Sequence, residues 1–289
     1  SATSEGRTCG RACAHALCAM RRSARGRSAA AVVVAAVAAL GAALWAPWVA
    51  RSAPPLLLVA PTGQGAAVLL AGVGTAATTT PGGRRNVGRL FAEQLAQMGA
   101  SVAVVARSEA AAEELRAAGF AVAGVGDLMD PAFASKVVMA TKPATIFTAV
   151  GGKDSSGGRV DGIANINLFK AAAALKPSPH IVFVTSWGCG ETYEFLNEQT
   201  KNILGPALKA KTEAEEFLRG SGLNHMIVRP GGLVSGDEPA TRKGILIRDR
   251  PDIGGSIRRQ DLAGMLLWLP RRPDTNGLAL TALDRDMLR

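Results

Sequence analysis

Residues 101–119 read SVAVVARSEAAAEELRAAG, and this stretch decides the fold. Val102, Val104 and Val105 make a short apolar run rich in β-branched side chains, the composition of a buried strand. Ser108 then offers a hydroxyl to cap a helix, which runs to Ala118 and stops at Gly119. The same unit recurs on both sides. Ala66 to Gly72 is an apolar run ending in glycine, and Asn86 to Met98 carries Val87, Leu90, Phe91 and Leu95 at helical spacing before Gly99. Phe120 to Val125 reads as a third strand, and Pro131 suits the first turn of the next helix. Ala144 to Val150 and His180 to Thr185 read as strands on either side of a helix over about 160–175. A long helix from about Thr200 to Arg219 leads to a sixth strand, Asn224 to Val228. Short buried strands alternating with helices need right-handed crossovers, which give one parallel sheet covered on both faces. The expected fold is therefore α/β: a doubly wound, Rossmann-like sheet with a small C-terminal substrate lobe, preceded by an apolar N-terminal helix.

Composition narrows the function. The formal charge of +10 invites a nucleic-acid reading, but the charge is unevenly placed. No acidic residue stands between Glu5 and Glu93, and residues 1–92 hold ten arginines, no lysine and one glutamate. Residues 93–289 hold 23 basic and 22 acidic side chains, so the part expected to fold is close to neutral. A groove for a phosphate backbone needs clustered cations on the globular part, and nucleic acid is excluded as a partner. Cys9, Cys13, Cys18 and His15 lack the paired spacing of a zinc knuckle, and Asp237 with Glu238 has no third ligand at a suitable distance in sequence. No metal is expected.

The first 55 residues read as a separate unit, with a dinucleotide-binding domain expected over 56–289. Residues 1–28 are rich in Ser, Ala and Arg, the composition of an organelle import peptide. The uncharged run from Ser28 to Ala50 lies between Arg27 and Arg51, and as a helix would span roughly 30 Å, the thickness of a hydrocarbon core. Trp45 and Trp48 stand at one end of it, as interfacial indoles do. Three readings fit this Ala-rich run: a targeting segment, a retained membrane anchor, or a helix docked on protein. Pro54, Pro55, Pro61 and Gly63 then mark a linker.

In a doubly wound sheet a dinucleotide lies beyond the carboxyl ends of the strands, its pyrophosphate at the first helix N-terminus. Gly72, Gly74 and Ala77 fit a G-x-G-x-x-A string, yet Thr78 to Gly83 cannot start a helix. The better helix-packing glycine is Gly88, with about ten residues inserted before it. Either this insertion folds away and leaves Gly72, Asn86 and Gly88 around the phosphates, or it fills the site. After the second strand the chain has Arg107 and Ser108 where an acidic residue would take the ribose hydroxyls, which suits the 2′-phosphate of NADP better than NAD. Asp127 and Leu128 follow the third strand, where a carboxylate reaches the adenine. Ala149, Val150 and Gly151 follow the fourth, where small side chains leave room for the cofactor.

These residues, in this order, resemble the atypical short-chain dehydrogenase/reductase family with an NAD(P)H-binding Rossmann domain, over about residues 66–269. The most specific likeness is late: Ser221-Gly222-Leu223, Ile227 to Leu233, and Ser256 to Ala263. It is nearest to plastid and cyanobacterial members. The resemblance implies cofactor contacts at Arg229 and Pro230, a strand-five serine at Ser186 and a helix lysine at Lys211. Lys211 could equally be a surface residue paired with Glu215 one turn on. The family's usual proton donor, a tyrosine four residues before that lysine, is absent: Ala207 stands there, and the single tyrosine is Tyr193. Three arrangements stay open: Tyr193 enters the site from its loop, Ser186 or Lys211 or water supplies the proton, or the domain is not catalytic.

The implied function is an NADP-binding reductase-like protein of an organelle, passing hydride to a small hydrophobic or conjugated substrate. The plastid is the expected compartment, with thylakoid-membrane association through 28–50 and the mitochondrion as the other compartment. The alternative is a retired reductase fold serving as a structural or assembly subunit of a membrane, photosynthetic complex, keeping either cofactor affinity or only the fold with none bound. Cys189, His180 and His225 read as packing residues, Cys189 with the added option of a reactive thiol.

Overall fold

The structure, a computed structural model, describes residues 68–74, 85–234, 238–269 and 273–289. The expected import segment, the apolar run 28–50, the expected linker, Asp237 and residues 75–84 of the insertion lie outside them. No helix among the described residues is long and apolar enough to cross a membrane.

Strands and helices alternate as the periodicity requires: β1 (Val68–Ala71), α1 (Val87–Gln97), β2 (Val102–Ala106), α2 (Glu109–Ala117), β3 (Ala121–Val125) and α3 (Pro131–Thr141). Then come β4 (Thr145–Thr148), α4 (Ile163–Ala174), β5 (His180–Val184), a 3₁₀ turn (Gly190–Phe195), α5 (Glu198–Gly220) and β6 (His225–Pro230). The C-terminal part adds β7 (Gly232–Leu233), β8 (Gly244–Ile247), β9 (Ser256–Ile257), α6 (Arg259–Leu266) and β10 (Ala279–Asp284). The caps are those read from sequence: Asn86 opens α1, Ser108 opens α2, and Pro131 sits at the start of α3 behind Asp130.

The main sheet has eight strands in the order β3-β2-β1-β4-β5-β6-β10-β8. All its pairings are parallel but one. β8 runs antiparallel to β10 at the edge, and the rest of the sheet is parallel, as the doubly wound reading requires. A short edge strand needs no crossover helix, and mixed sheets commonly end this way. β7 and β9 form a separate parallel pair in the C-terminal lobe.

Side chains alternate between two cores, one on each sheet face. Leu70, Phe147 and Val182 pack toward α1, α2 and α6, where Phe91 lies against Phe147 with ring centroids 4.5 Å apart. Leu69, Ile146 and Phe183 pack toward α3, α4 and α5, where Phe169 meets Phe183 edge-on at 5.3 Å. Each such fully buried side chain contributes about 1.5–3 kcal/mol of transfer free energy. Strand order reverses between β1 and β4, and a crevice opens there at their carboxyl ends.

Candidate active site: a dinucleotide cleft

The crevice is a cleft of about 620 Å³, walled by the ends of β1 to β4 and the turns that follow them. Its floor depends on glycine. Gly72 has φ +84°, and a Cβ on it would come within 2.6 Å of the Ala149 carbonyl carbon, so the turns after β1 and β4 close only around glycine. A Cβ on Gly88 would lie 2.5 Å from the Gly72 carbonyl oxygen, so Gly88 lets α1 pack against the turn. Asn86 ties the parts together: its Oδ1 accepts from Arg89 N at 2.7 Å and Gly74 N at 3.1 Å, while its Nδ2 donates to Gly72 O at 3.1 Å. Bare backbone at a helix start, free of Cβ atoms, is the surface a pyrophosphate requires.

The second wall follows β2 and β3. Arg107 and Ser108 are both exposed and line the cleft, with Ser108 Oγ also capping α2 through Ala111 N at 3.3 Å. Asp127 lines it from the turn after β3, its Oδ1 accepting from Met129 N at 2.9 Å, and Leu128 is buried beside it. Ala149 and Gly151 complete the lining after β4. Eight of the eleven proposed cofactor contacts thus meet in one cleft, with Gly88 directly beneath it.

Arg229 and Pro230 do not line this cleft, and the expected cofactor contact at Arg229 is corrected. Arg229 is 2% exposed inside β6; its Nε donates to Glu215 Oε1 at 3.1 Å and its Nη2 to Glu215 Oε2 at 2.5 Å. Its Nη1 donates to Glu191 Oε1 at 2.6 Å. Burial opposes the guanidinium charge, but the two carboxylates outweigh it and hold the pKa above its ordinary value. A cation on a buried strand must be paired, and this one clamps α5 and the 3₁₀ turn to the sheet. The Pro230 carbonyl accepts from Trp187 N at 2.8 Å and supports the turn after β5.

The proposed catalytic trio is not assembled in the cleft. Ser186 Oγ donates to Trp187 O at 3.0 Å. Tyr193 turns toward the start of α5, with Lys201 and Lys209 over its ring at 5.8 and 5.9 Å, so the arrangement in which it enters the site is corrected. Lys211 does not pair with Glu215, which is occupied by Arg229 and by the Thr185 hydroxyl at 2.7 Å. Its Nζ donates instead to Thr185 O at 3.4 Å and stands 4.0 Å from Asp161 Oδ1. Cys189 is fully buried; burial, then the nearby Glu215 charge, push its thiol up to about 12, the environment of a packing residue. Among the described residues no cluster of metal-ligating side chains occurs.

Three supporting residues escaped the sequence reading. Asn165 Nδ2 donates to Val150 O at 3.2 Å and Asp161 O at 2.7 Å, while its Oδ1 accepts from Thr148 Oγ1 at 2.6 Å. Asn167 Nδ2 donates to the Leu128 and Met129 carbonyls at 2.9 and 3.0 Å. Asp161, buried at the entry to α4, accepts from Gly152 N at 3.2 Å. The available signal was two amides inside the apolar helix IANINLFKAAAA, since polar groups at buried positions must find partners.

A glycine-floored crevice at the switch point of a parallel sheet, with an arginine after β2 and a carboxylate after β3, defines a Rossmann dinucleotide-binding protein. The chain belongs to the NAD(P)H-binding family, which matches residues 82–272. Its fold is shared with short-chain dehydrogenase/reductase proteins. ChuY, an anaerobilin reductase from Escherichia coli O157:H7, is 29% identical over 76% of this chain and 97% of that one, with a TM-score of 0.64. A Veillonella parvula short-chain dehydrogenase/reductase in complex with NADP, 13% identical over 75% of this chain and 94% of its own, has a TM-score of 0.56 and shares the fold. Among curated proteins, the chloroplastic protein TIC 62 of Arabidopsis thaliana is 33% identical over 118 residues, 40% of this chain. The chain spans only 18% of that protein's length.

Proposed function

We propose that the protein binds NADP(H) in this cleft and acts as a plastid reductase on a small hydrophobic or conjugated acceptor. The observation that carries the cofactor choice is the exposed Arg107–Ser108 pair lining the cleft after β2. A guanidinium and a hydroxyl offer donors to a 2′-phosphate, whereas a ribose diol calls for an acceptor. NADPH supplies a hydride when bound. Gly72, Gly74 and Asn86 would seat its pyrophosphate, Asp127 would face its adenine, and Ala149 to Gly151 would flank its nicotinamide half. With no tyrosine beside Lys211, the proton for the acceptor would come from Ser186, Lys211 or water.

The likeness to ChuY supports a conjugated acceptor and makes anaerobilin the first one to try. The partial likeness to a chloroplastic protein supports the plastid, with residues 1–28 as import segment and 28–50 as the means of membrane association. Titration of the full chain with NADPH and NADH, followed by nicotinamide fluorescence, tests the cofactor. Arg107→Ala is expected to weaken NADPH about 10- to 100-fold and to leave NADH almost unchanged, the effect of losing one charge-assisted hydrogen bond. Equal losses for both cofactors would refute the assignment.

One observation favours a second reading, a cofactor-binding but catalytically retired subunit of a membrane complex. Tyr193 is turned toward α5 and leaves Lys211 without a phenolic partner. That reading requires tight NADPH binding with no hydride transfer to any acceptor, and recovery of the protein in thylakoid membranes with a larger assembly.

A further inference from the structure

We propose that Asp161 positions Lys211 for the nicotinamide riboside, so that a carboxylate–lysine pair stands where the family's usual tyrosine–lysine pair would act. The proposal rests on the cleft being a dinucleotide site.

Asp161 has its side chain 2% exposed, and a carboxylate so buried requires compensation. Its two oxygens are divided. Oδ2 accepts from Gly152 N at 3.2 Å and from Arg159 Nη2 at 2.5 Å. Oδ1 faces Lys211 Nζ at 4.0 Å. Gly151 separates this pair from the cleft and must be glycine: a Cβ there would come 2.5 Å from Asp161 Oδ1 and 3.5 Å from Lys211 Cε. The same glycine lines the cleft, so the pair lies directly behind the cleft wall.

The Lys211 ammonium is held loosely. Its side chain is 17% exposed and its one hydrogen bond among the described residues is to Thr185 O at 3.4 Å. An ammonium has three donors; with one on Thr185 O and one directed at Asp161, one N–H remains for a ligand. The adenosine half of a dinucleotide belongs to the Arg107 and Asp127 side, after β2 and β3. The other half must then cross the ends of β4 and β5, where Gly151 and Thr185 bracket Lys211. Asp161 holds the ammonium at that crossing and keeps it from swinging out along α5. It acts through Lys211 and does not itself touch the ligand.

A double-mutant cycle on the full chain tests this, with NADPH binding read by fluorescence and 2′,5′-ADP, the adenosine half alone, by calorimetry. Asp161→Asn keeps an oxygen for Gly152 N and removes the charge; it is expected to weaken NADPH about tenfold, the effect of one misplaced charged donor, and to leave 2′,5′-ADP within about twofold. Lys211→Met should give the same split, and the double variant should be no worse than Lys211→Met alone. Should Asp161→Asn fail to fold, Asp161→Glu, which displaces the charge by one methylene, must give the split instead. Equal losses for the two ligands would mean a merely structural role, and fully additive losses would mean that Asp161 does not act through Lys211; either overturns the proposal while the cleft assignment stands. If the unaltered protein binds neither ligand, the cleft assignment itself falls and takes the proposal with it.

Discussion

At the scale of single residues, the buried charges separate structure from chemistry. Arg229 and Glu215 are each about 2% exposed and bond bidentately, so neither can be removed without stranding the other. Arg229→Met is expected to lower the free energy of unfolding by about 3–5 kcal/mol in urea titration, the effect of an uncompensated buried carboxylate. Removing Glu191, whose side chain is 54% exposed, should cost far less. The contrast with Arg107 is instructive. From sequence both arginines follow buried strands, and both read as cofactor ligands. Arg107 lies one residue past the end of β2, where side chains meet solvent. Arg229 lies inside β6, which extends to Pro230 and not, as the periodicity predicts, to Val228. Two residues of strand length turned an expected ligand into a clamp.

Elements were legible wherever local chemistry agreed with tertiary packing. Ser108 and Asn86 announce helix starts, Gly99 and Gly119 announce stops, and the valine-rich runs are strands, because caps and periodicity are local signals. β8 and β10 were not read, since β10 enters the sheet only by pairing with β6, about fifty residues earlier in sequence, and β8 only by pairing with β10. The supporting residues of the site were illegible for a related reason. Asn167 looks like a weak helix former until the turn carrying Leu128, 39 positions earlier, is seen against it. Its role predicts a specific loss: Asn167→Leu should keep the helix but release the turn after β3, weakening 2′,5′-ADP several-fold in calorimetry. Asn86→Ala removes a helix cap and is expected to lower stability by about 1–2 kcal/mol, measured by chemical denaturation.

For the whole molecule, the pH response follows from groups far from the cleft. His180, at the start of β5, is held below its ordinary pKa by burial and by the neighbouring His225, so it is neutral in the fold. A base whose folded pKa is depressed leaves the fold fully stable above the unfolded value of 6.5 and weakens it as pH falls below that point. Unfolding free energy is therefore expected to drop between pH 7 and pH 5, and His180→Phe should flatten that part of the profile in denaturation at several pH values. At more acid pH Asp284 adds a second loss. Burial pushes its carboxyl up, but donors from Thr241 Oγ1 and Asp286 N bring it below 3.8, so its contribution disappears as pH falls through that range.

Asn165 and Asn167 stand on one helix, two residues apart, yet they brace opposite banks of the crevice. A ligand fragment seated on either bank would therefore quieten α4 and spare the second fragment part of its ordering entropy. The two halves of a severed dinucleotide should accordingly enter cooperatively, and amide exchange along this helix should slow when only one of them is present.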